Sequence, residues 1–249
     1  LALQTSNDER LKRMKLRKVM IATPSKESKV CLEYVPSLLG TIEALHMRNI
    51  NVNINFRGGN ASASAVRNEL VAGFLMSDAE DLLFVDDDMT WNPMDVVRLM
   101  SWDKDIVGGV GRMKRLDQVN FCYCSKKDEA GDIVIEKPTG LIQCERIGTG
   151  FLRIRRSVFD VLIKNNPELQ YCRSRESDAE IEKHLYAFFQ ETYIGKTLMS
   201  EDYFFSDFCK NNGFEIFADP EIELGHIGLL NYKSKLSDYL EVNQDEEEY

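Results

Sequence analysis

The stretch Leu82-Leu83-Phe84-Val85-Asp86-Asp87-Asp88-Met89 decides how this chain is read. Four apolar residues make a short buried strand, and three carboxylates follow one another at its carboxyl end. Charge at that density is costly unless something positive sits on it. A divalent cation carrying phosphates is one such partner, and a solvated acidic turn is the plainer alternative. In open α/β sheets ligands bind outside the carboxyl ends of the strands, where these aspartates would lie.

Upstream, Lys18 to Thr23 is another apolar run, stopped by Pro24-Ser25, which gives a first strand and its loop. Val35, Leu38, Leu39, Ile42 and Leu45 then recur at helical spacing, with Pro36 acceptable in a first turn. Asn51 to Phe56 alternates polar and apolar before Gly58-Gly59, as a strand with one more exposed face does. Ser62 suits the cap of a helix turning Val66, Leu70, Phe74 and Leu75 inward. Downstream, Asn92-Pro93 opens a helix with Val96, Val97, Leu99 and Met100, and Asp105 to Val110 is the next strand. This β-α-β-α-β-α-β order predicts an α/β fold with a mostly parallel sheet, helices on both faces and right-handed crossovers.

The second half is less regular. Asn120 to Cys124 and Asp132 to Glu136 are expected as antiparallel strands, Phe151 to Ile154 as a strand and Ser157 onward as a helix. Asn166 to Ser200, with a helix expected around Ile181 to Phe189, is long enough to form a lid or binding loop. A helix over Glu201 to Asn211 stops at Asn212-Gly213, and Phe214 to Ala218 and Glu221 to Gly228 follow.

Composition narrows the function. The chain has 249 residues and a net charge of −10, which argues against a nucleic-acid partner. No apolar run approaches the roughly 20 residues of a membrane span, and no apolar signal segment is present. Six scattered cysteines fit reduced thiols in a cytoplasmic compartment. Cys122, Cys124 and Cys144 would suit a structural zinc only if the fold brought them together. The first strand leads into Thr23-Pro24-Ser25-Lys26-Glu27, which has neither glycine-rich phosphate motif. A phosphate ligand would therefore need a metal and basic side chains to neutralise it.

A strand ending in Asp86-Asp87-Asp88 after a β-α-β-α unit resembles the D-x-D motif of GT-A-fold nucleotide-sugar glycosyltransferases. Arg67-Asn68, on the preceding helix, is similar to the Arg-Asn pair of family 2 members. Gly148-Thr149-Gly150-Phe151-Leu152, leading into Arg155-Arg156-Ser157-Val158-Phe159, resembles the start of the acceptor half. Ser200-Glu201-Asp202-Tyr203-Phe204-Phe205 resembles the E-D motif, and Asn212-Gly213-Phe214, Ala218-Asp219-Pro220 and His226 the segment ending in a metal-binding histidine. The matches keep the family's order from Val19 to Gly228.

The resemblance implies a donor site at Thr23, Pro24, Ser25, Arg67, Asp86 and Asp87, with Gly148, Thr149 and Gly150 on the acceptor side. It implies a cation, Mn²⁺ or Mg²⁺, on Asp86, Asp88 and His226, with Asp202 as base and Glu201 beside it. Asp86 and Asp88 would share one side of an extended chain, as alternate residues do. The organisation expected is a basic leader over 1–17, a catalytic domain over 18–230 divided at 118/119 into nucleotide-binding and acceptor halves, and an acidic tail over 231–249. The basic leader would allow a peripheral membrane association. The function implied is metal-dependent transfer of a sugar from a nucleoside diphosphate to a glycan or other hydroxyl acceptor. An inactive carbohydrate-binding or scaffold relative stays open; a sugar-phosphate nucleotidyltransferase is disfavoured by the missing glycine loop.

Overall fold

The computed structural model describes residues 17–59, 62–173 and 179–240. All but Arg17 of the expected leader, and the last nine residues of the expected tail, lie outside these. In chain order the elements are β1 (Lys18–Ser25), α1 (Tyr34–His46), β2 (Asn51–Gly58), α2 (Ala63–Met76), β3 (Asp81–Val85), β4 (Met89–Trp91), α3 (Pro93–Ser101) and β5 (Ile106–Gly108). There follow β6 (Tyr123–Ser125), β7 (Ile142–Ile147), β8 (Phe151–Arg155), α4 (Arg156–Asn165) and α5 (Ala179–Glu182). The chain continues with β9 (Thr192–Ile194), β10 (Thr197–Met199), α6 (Glu201–Asn211), β11 (Ile216–Ala218), β12 (Glu223–Ile227) and β13 (Asn231–Lys235).

Eight strands form one sheet in the order β2-β1-β3-β8-β5-β11-β7-β6. β1 lies parallel to β2 and β3, and β11 parallel to β5, while β8 and β7 run against their neighbours. Six of the eight strands therefore point the same way, a mostly parallel set of directions as the alternation of strands and helices predicts, while the reversed β8 and β7 make four of the seven pairings antiparallel. Leu82 and Phe84 enter one apolar cluster with Leu70, Phe74, Phe159 and Phe205; Leu83 and Val85 enter another with Tyr34, Trp91 and Leu99. Burial on both faces is why β3 reads as an unbroken apolar run. The caps form as expected: Ser62 accepts from the Ala65 N–H at 3.2 Å and Asn92 from the Met94 N–H at 3.0 Å.

Four expectations need correction. On α1 the buried stripe is Tyr34, Ser37, Leu38, Thr41 and Leu45, while Val35 and Leu39 are 39% and 60% exposed. Trp91 sets that rotation: its indole N–H donates to Thr41 Oγ1 at 2.8 Å, and Tyr34 packs edge-on to it at 5.0 Å. Asp132 to Glu136 forms only the isolated bridges Lys127–Ile133 and Ile135–Ile142, and β6 pairs with β7 instead. The helix expected around Ile181 to Phe189 is reduced to α5, because Phe188 and Phe189 enter the core. Asn68 clamps the Phe189 backbone there, donating at 3.0 Å and accepting at 2.9 Å. The segment expected as tail from residue 231 is folded to residue 240. β13 pairs with β12, which pairs with β4 in a three-stranded sheet, and Leu236 is buried.

Candidate functional site at the end of β3

β3 stops at Val85 and the chain turns, with the Met89 N–H donating to the Asp86 carbonyl at 3.2 Å. Asp86 and Asp88 are therefore not alternate residues of an extended chain, and they face different partners. Asp86 faces α2, while Asp88 faces β12.

On the α2 side, Arg67 is 4% exposed and donates from Nη2 to Asp86 Oδ1 at 3.0 Å. Its Nε lies 3.5 Å from Glu201 Oε1 and 3.6 Å from Asp202 Oδ1. The guanidinium rests 5.4 Å from the Phe84 ring centre, and its buried Nε and Nη1 have no hydrogen-bond partner. The Gly148-Thr149-Gly150 turn closes this group. Thr149, fully buried, donates its hydroxyl to Asp202 Oδ1. The Asp86 N–H donates to the Gly150 carbonyl at 3.0 Å, and a Cβ on residue 150 would come within 2.9 Å of Asp86 Oδ2, so any side chain there would push the Asp86 carboxylate aside. The Gly148 N–H is bonded to the Cys122 carbonyl at 2.8 Å.

Glu201 and Asp202 open α6, whose N-cap residue Ser200 makes no side-chain cap bond. Three carboxylates thus meet one guanidinium. Burial works against charge on Arg67, but Asp86, Asp202 and Glu201 outweigh it and raise its pKa. Burial raises Asp86 and outweighs Arg67, with Asp202 and Asp88 adding to the rise; burial and Asp202 raise Glu201. Both carboxyls hold a proton more readily than free ones, as a buried cluster with surplus negative charge must.

On the β12 side, Asp88 Oδ2 is paired with the Lys114 ammonium, and Oδ1 lies 3.4 Å from His226 Nε2. His226 Nδ1 is 2.9 Å from the Arg112 carbonyl. A carbonyl only accepts, so Nδ1 carries a hydrogen, and Nε2 faces the carboxylate with a lone pair when the ring is neutral and with a second N–H when it is an imidazolium. Burial pushes the Asp88 carboxyl up, but His226 and Lys114 outweigh it and the net shift is down. Two facing acceptors call for a cation or a proton between them. A backbone carbonyl on the far ring nitrogen is the support that metal-binding histidines usually have.

Asp88 and His226 therefore fit a divalent cation as two of its ligands. The third expected ligand, Asp86, is engaged by Arg67. Among the described residues no group of three His, Cys, Asp or Glu side chains stands ready as a metal centre. The cysteines are unpaired, with Cys144 in the core and Cys124 exposed.

A cleft of about 200 Å³ is lined by Pro24, Ser25, Lys26, the three aspartates, Arg67 and His226 among others; it reaches Arg67 and Asp86 on the α2 side, while Thr149, Glu201 and Asp202 lie outside its lining. Of the expected donor residues, Thr23 is corrected: it is fully buried, with its hydroxyl 2.6 Å from the Tyr34 hydroxyl, and serves the core. Burial raises the Asp87 carboxyl against the pull of the Ser25 hydroxyl, and the Asp87 backbone carbonyl accepts from the Cys31 N–H at 2.9 Å. Sequence reading missed Lys114 and the Arg112 carbonyl. Both lie in an irregular stretch without periodicity, and Lys114 is 26 residues from its partner.

No family model matches the chain, and no curated protein matches it. Among solved structures, S. aureus TarS 1-349 in complex with UDP-GlcNAc is similar over 82% of this chain and 56% of that one, at 13% identity and a TM-score of 0.39. The inositol-1-phosphate CTP transferase from T. maritima is similar over 85% and 89%, at 8% identity and 0.41. This chain spans about half the length of the TarS 1-349 chain. At TM-scores below 0.5 these likenesses carry no argument about what the chain does.

Proposed function

We propose that the chain is a glycosyltransferase of the GT-A type that moves a sugar from a nucleoside diphosphate to an acceptor hydroxyl with the help of a divalent cation. One observation carries this reading. Arg67, Asp86, Thr149 and the Glu201–Asp202 pair, from four separate stretches, converge at the carboxyl end of β3. Asp88 and His226 line one cleft with Arg67 and Asp86 of that group. Motifs that are merely ordered in sequence would be this close only by chance.

In this reading Asp88 and His226 hold the cation, and the imidazole nitrogen favours Mn²⁺ over Mg²⁺. The cation, when bound, neutralises charge developing on the departing diphosphate. Asp86 holds Arg67 at the wall of the cleft; Nε stays with Glu201 and Asp202, and Nη1, buried without a hydrogen-bond partner, is the donor left for the donor's oxygens. As the bond from the sugar carbon to the phosphate oxygen breaks, the acceptor oxygen bonds to that carbon and its proton passes to Asp202. Thr149 orients the Asp202 carboxylate, and Glu201 holds the acceptor hydroxyl. Pro24, Ser25 and Asp87 border the donor, and Gly148 and Gly150, packed closely on Cys122 and Asp86, present Thr149 on the acceptor side. The division into a donor half over 18–118 and an acceptor half over 119–230 belongs to the same proposal.

No helix among the described residues is long and apolar enough to cross a membrane. A panel of nucleotide sugars with Mn²⁺, scored for slow donor hydrolysis, tests the reading without an acceptor. Mn²⁺-dependent hydrolysis of at least one donor is expected. Absence of both hydrolysis and binding across the panel would overturn it.

A further inference from the structure

No motif marks Lys114, yet its ammonium sits on Asp88. The same strap that carries it supplies the Arg112 carbonyl to His226 Nδ1. One short segment therefore touches both residues of the Asp88–His226 pair from outside. The strap is held by the Met113 N–H on the Asn120 carbonyl at 2.7 Å and by the bridge between Arg112 and Phe121. Gly228, just beyond β12, makes room for the lysine stem, since a Cβ there would lie 3.0 Å from Lys114 Cδ. The Lys114 side chain is 33% exposed, so its ion pair with Asp88 is open to solvent while the strap backbone is hydrogen-bonded.

We propose that Lys114 is a tethered cation that occupies Asp88 until a divalent ion displaces it, and that it then pairs with phosphate oxygens of the bound diphosphate. The inference rests on the metal-dependent reading above. The ammonium sits on Oδ2 while Oδ1 faces His226, so the two cations contest the charge of one carboxylate rather than one lone pair, and a divalent ion there repels the ammonium and weakens its hold. A nucleoside diphosphate carries more negative charge than one divalent ion neutralises, and a compact ammonium on a four-carbon stem beside the metal is suited to take up the remainder. Arg67 lines the same cleft as Asp88 and sits on Asp86, so a diphosphate there would meet a second fixed cation.

The test compares the wild-type chain with Lys114→Met, Lys114→Arg and Lys26→Met. Mn²⁺ is titrated alone by its electron paramagnetic resonance signal, and pyrophosphate is then titrated at saturating Mn²⁺. Lys26 lines the same cleft, so Lys26→Met controls for a general change of field. Lys114→Met should bind Mn²⁺ alone about fivefold more tightly than wild type and pyrophosphate about tenfold more weakly. Lys114→Arg should restore pyrophosphate binding, and Lys26→Met should change Mn²⁺ affinity by less than about twofold. Equal Mn²⁺ affinity in wild type and Lys114→Met, or the same gain in Lys26→Met, would overturn the inference and leave the metal reading standing. Failure of every protein to bind Mn²⁺ would overturn both.

Discussion

The two ends of β3 handle charge in opposite ways. At its start, the carboxylate of Asp81 is buried between Arg17, at 2.8 Å, and Arg153, at 3.4 Å. Arg153 also donates to the Lys104 and Trp102 carbonyls at 2.6 and 3.0 Å, leaving only Nε unpartnered. Nearby, Arg156 donates to the carbonyls of Phe74, Leu75, Ser77 and Ala79, closing the carboxyl end of α2. At the other end of the strand, one arginine faces three carboxylates and keeps two buried nitrogens unpartnered. The first arrangement is satisfied within the chain but for Arg153 Nε. The second lacks donors, acceptors and positive charge that a ligand would bring. Sheets of this class bind ligands at the carboxyl ends of their strands, and the contrast in satisfied charge makes that end of β3 the candidate site here.

The sharpest way to break the contrast is to alter each end separately. Asp202→Asn should lower sugar transfer by about 10²- to 10⁴-fold while leaving donor affinity and folding stability nearly unchanged, measured by steady-state kinetics and urea denaturation. Asp81→Ala should do the reverse. It strands Arg153 in the core and should cost about 3–5 kcal/mol of stability in urea denaturation, with the folded fraction still binding donor. His226→Ala should weaken Mn²⁺ binding by about tenfold in a metal titration; an identical titration curve would return His226 to a packing role.

The smallest effect belongs to a carboxylate away from both ends. Burial lifts Asp95 to about 6, with the Asn92 N–H opposing and Asp219 adding to the rise. Its ordinary value is 3.8, so the folded state holds the proton more tightly than the unfolded state. Stability from this group is therefore fully present below the ordinary value and is lost as pH rises through about 6. Asp95→Asn should stabilise the chain at pH 7 by about 1 kcal/mol, discounted for partial exposure, and the gain should vanish toward pH 3.5. Thermal unfolding at the two pH values measures it.

Much of the first half is legible because its signals are local. β1 and β3 announce themselves as apolar runs, Ser62 and Asn92 as caps, and α6 by the glycine after it, with Gly213 at φ +88°. What escapes reading depends on distant partners. Nothing near Thr23 says that it faces the Tyr34 hydroxyl rather than a ligand. The three-residue strand β4 exists because β12 pairs with it, more than a hundred residues later. The site divides the same way. The residue types at Arg67, Asp88, Asp202 and His226 follow the motif order, but the turn after Val85 and the pairing of Asp86 with Arg67 come from the close approach of Gly150.

The central claim is that the cleft after β3 binds a nucleotide sugar through a cation on Asp88. Its most direct test is calorimetric titration of the hydrolysed nucleotide sugar into wild type and Asp88→Ala, each with Mn²⁺ and with chelator. The account predicts Mn²⁺-dependent binding by wild type and none by Asp88→Ala, whose circular dichroism and melting should match wild type. Equal Mn²⁺-dependent affinity in the two proteins would contradict it.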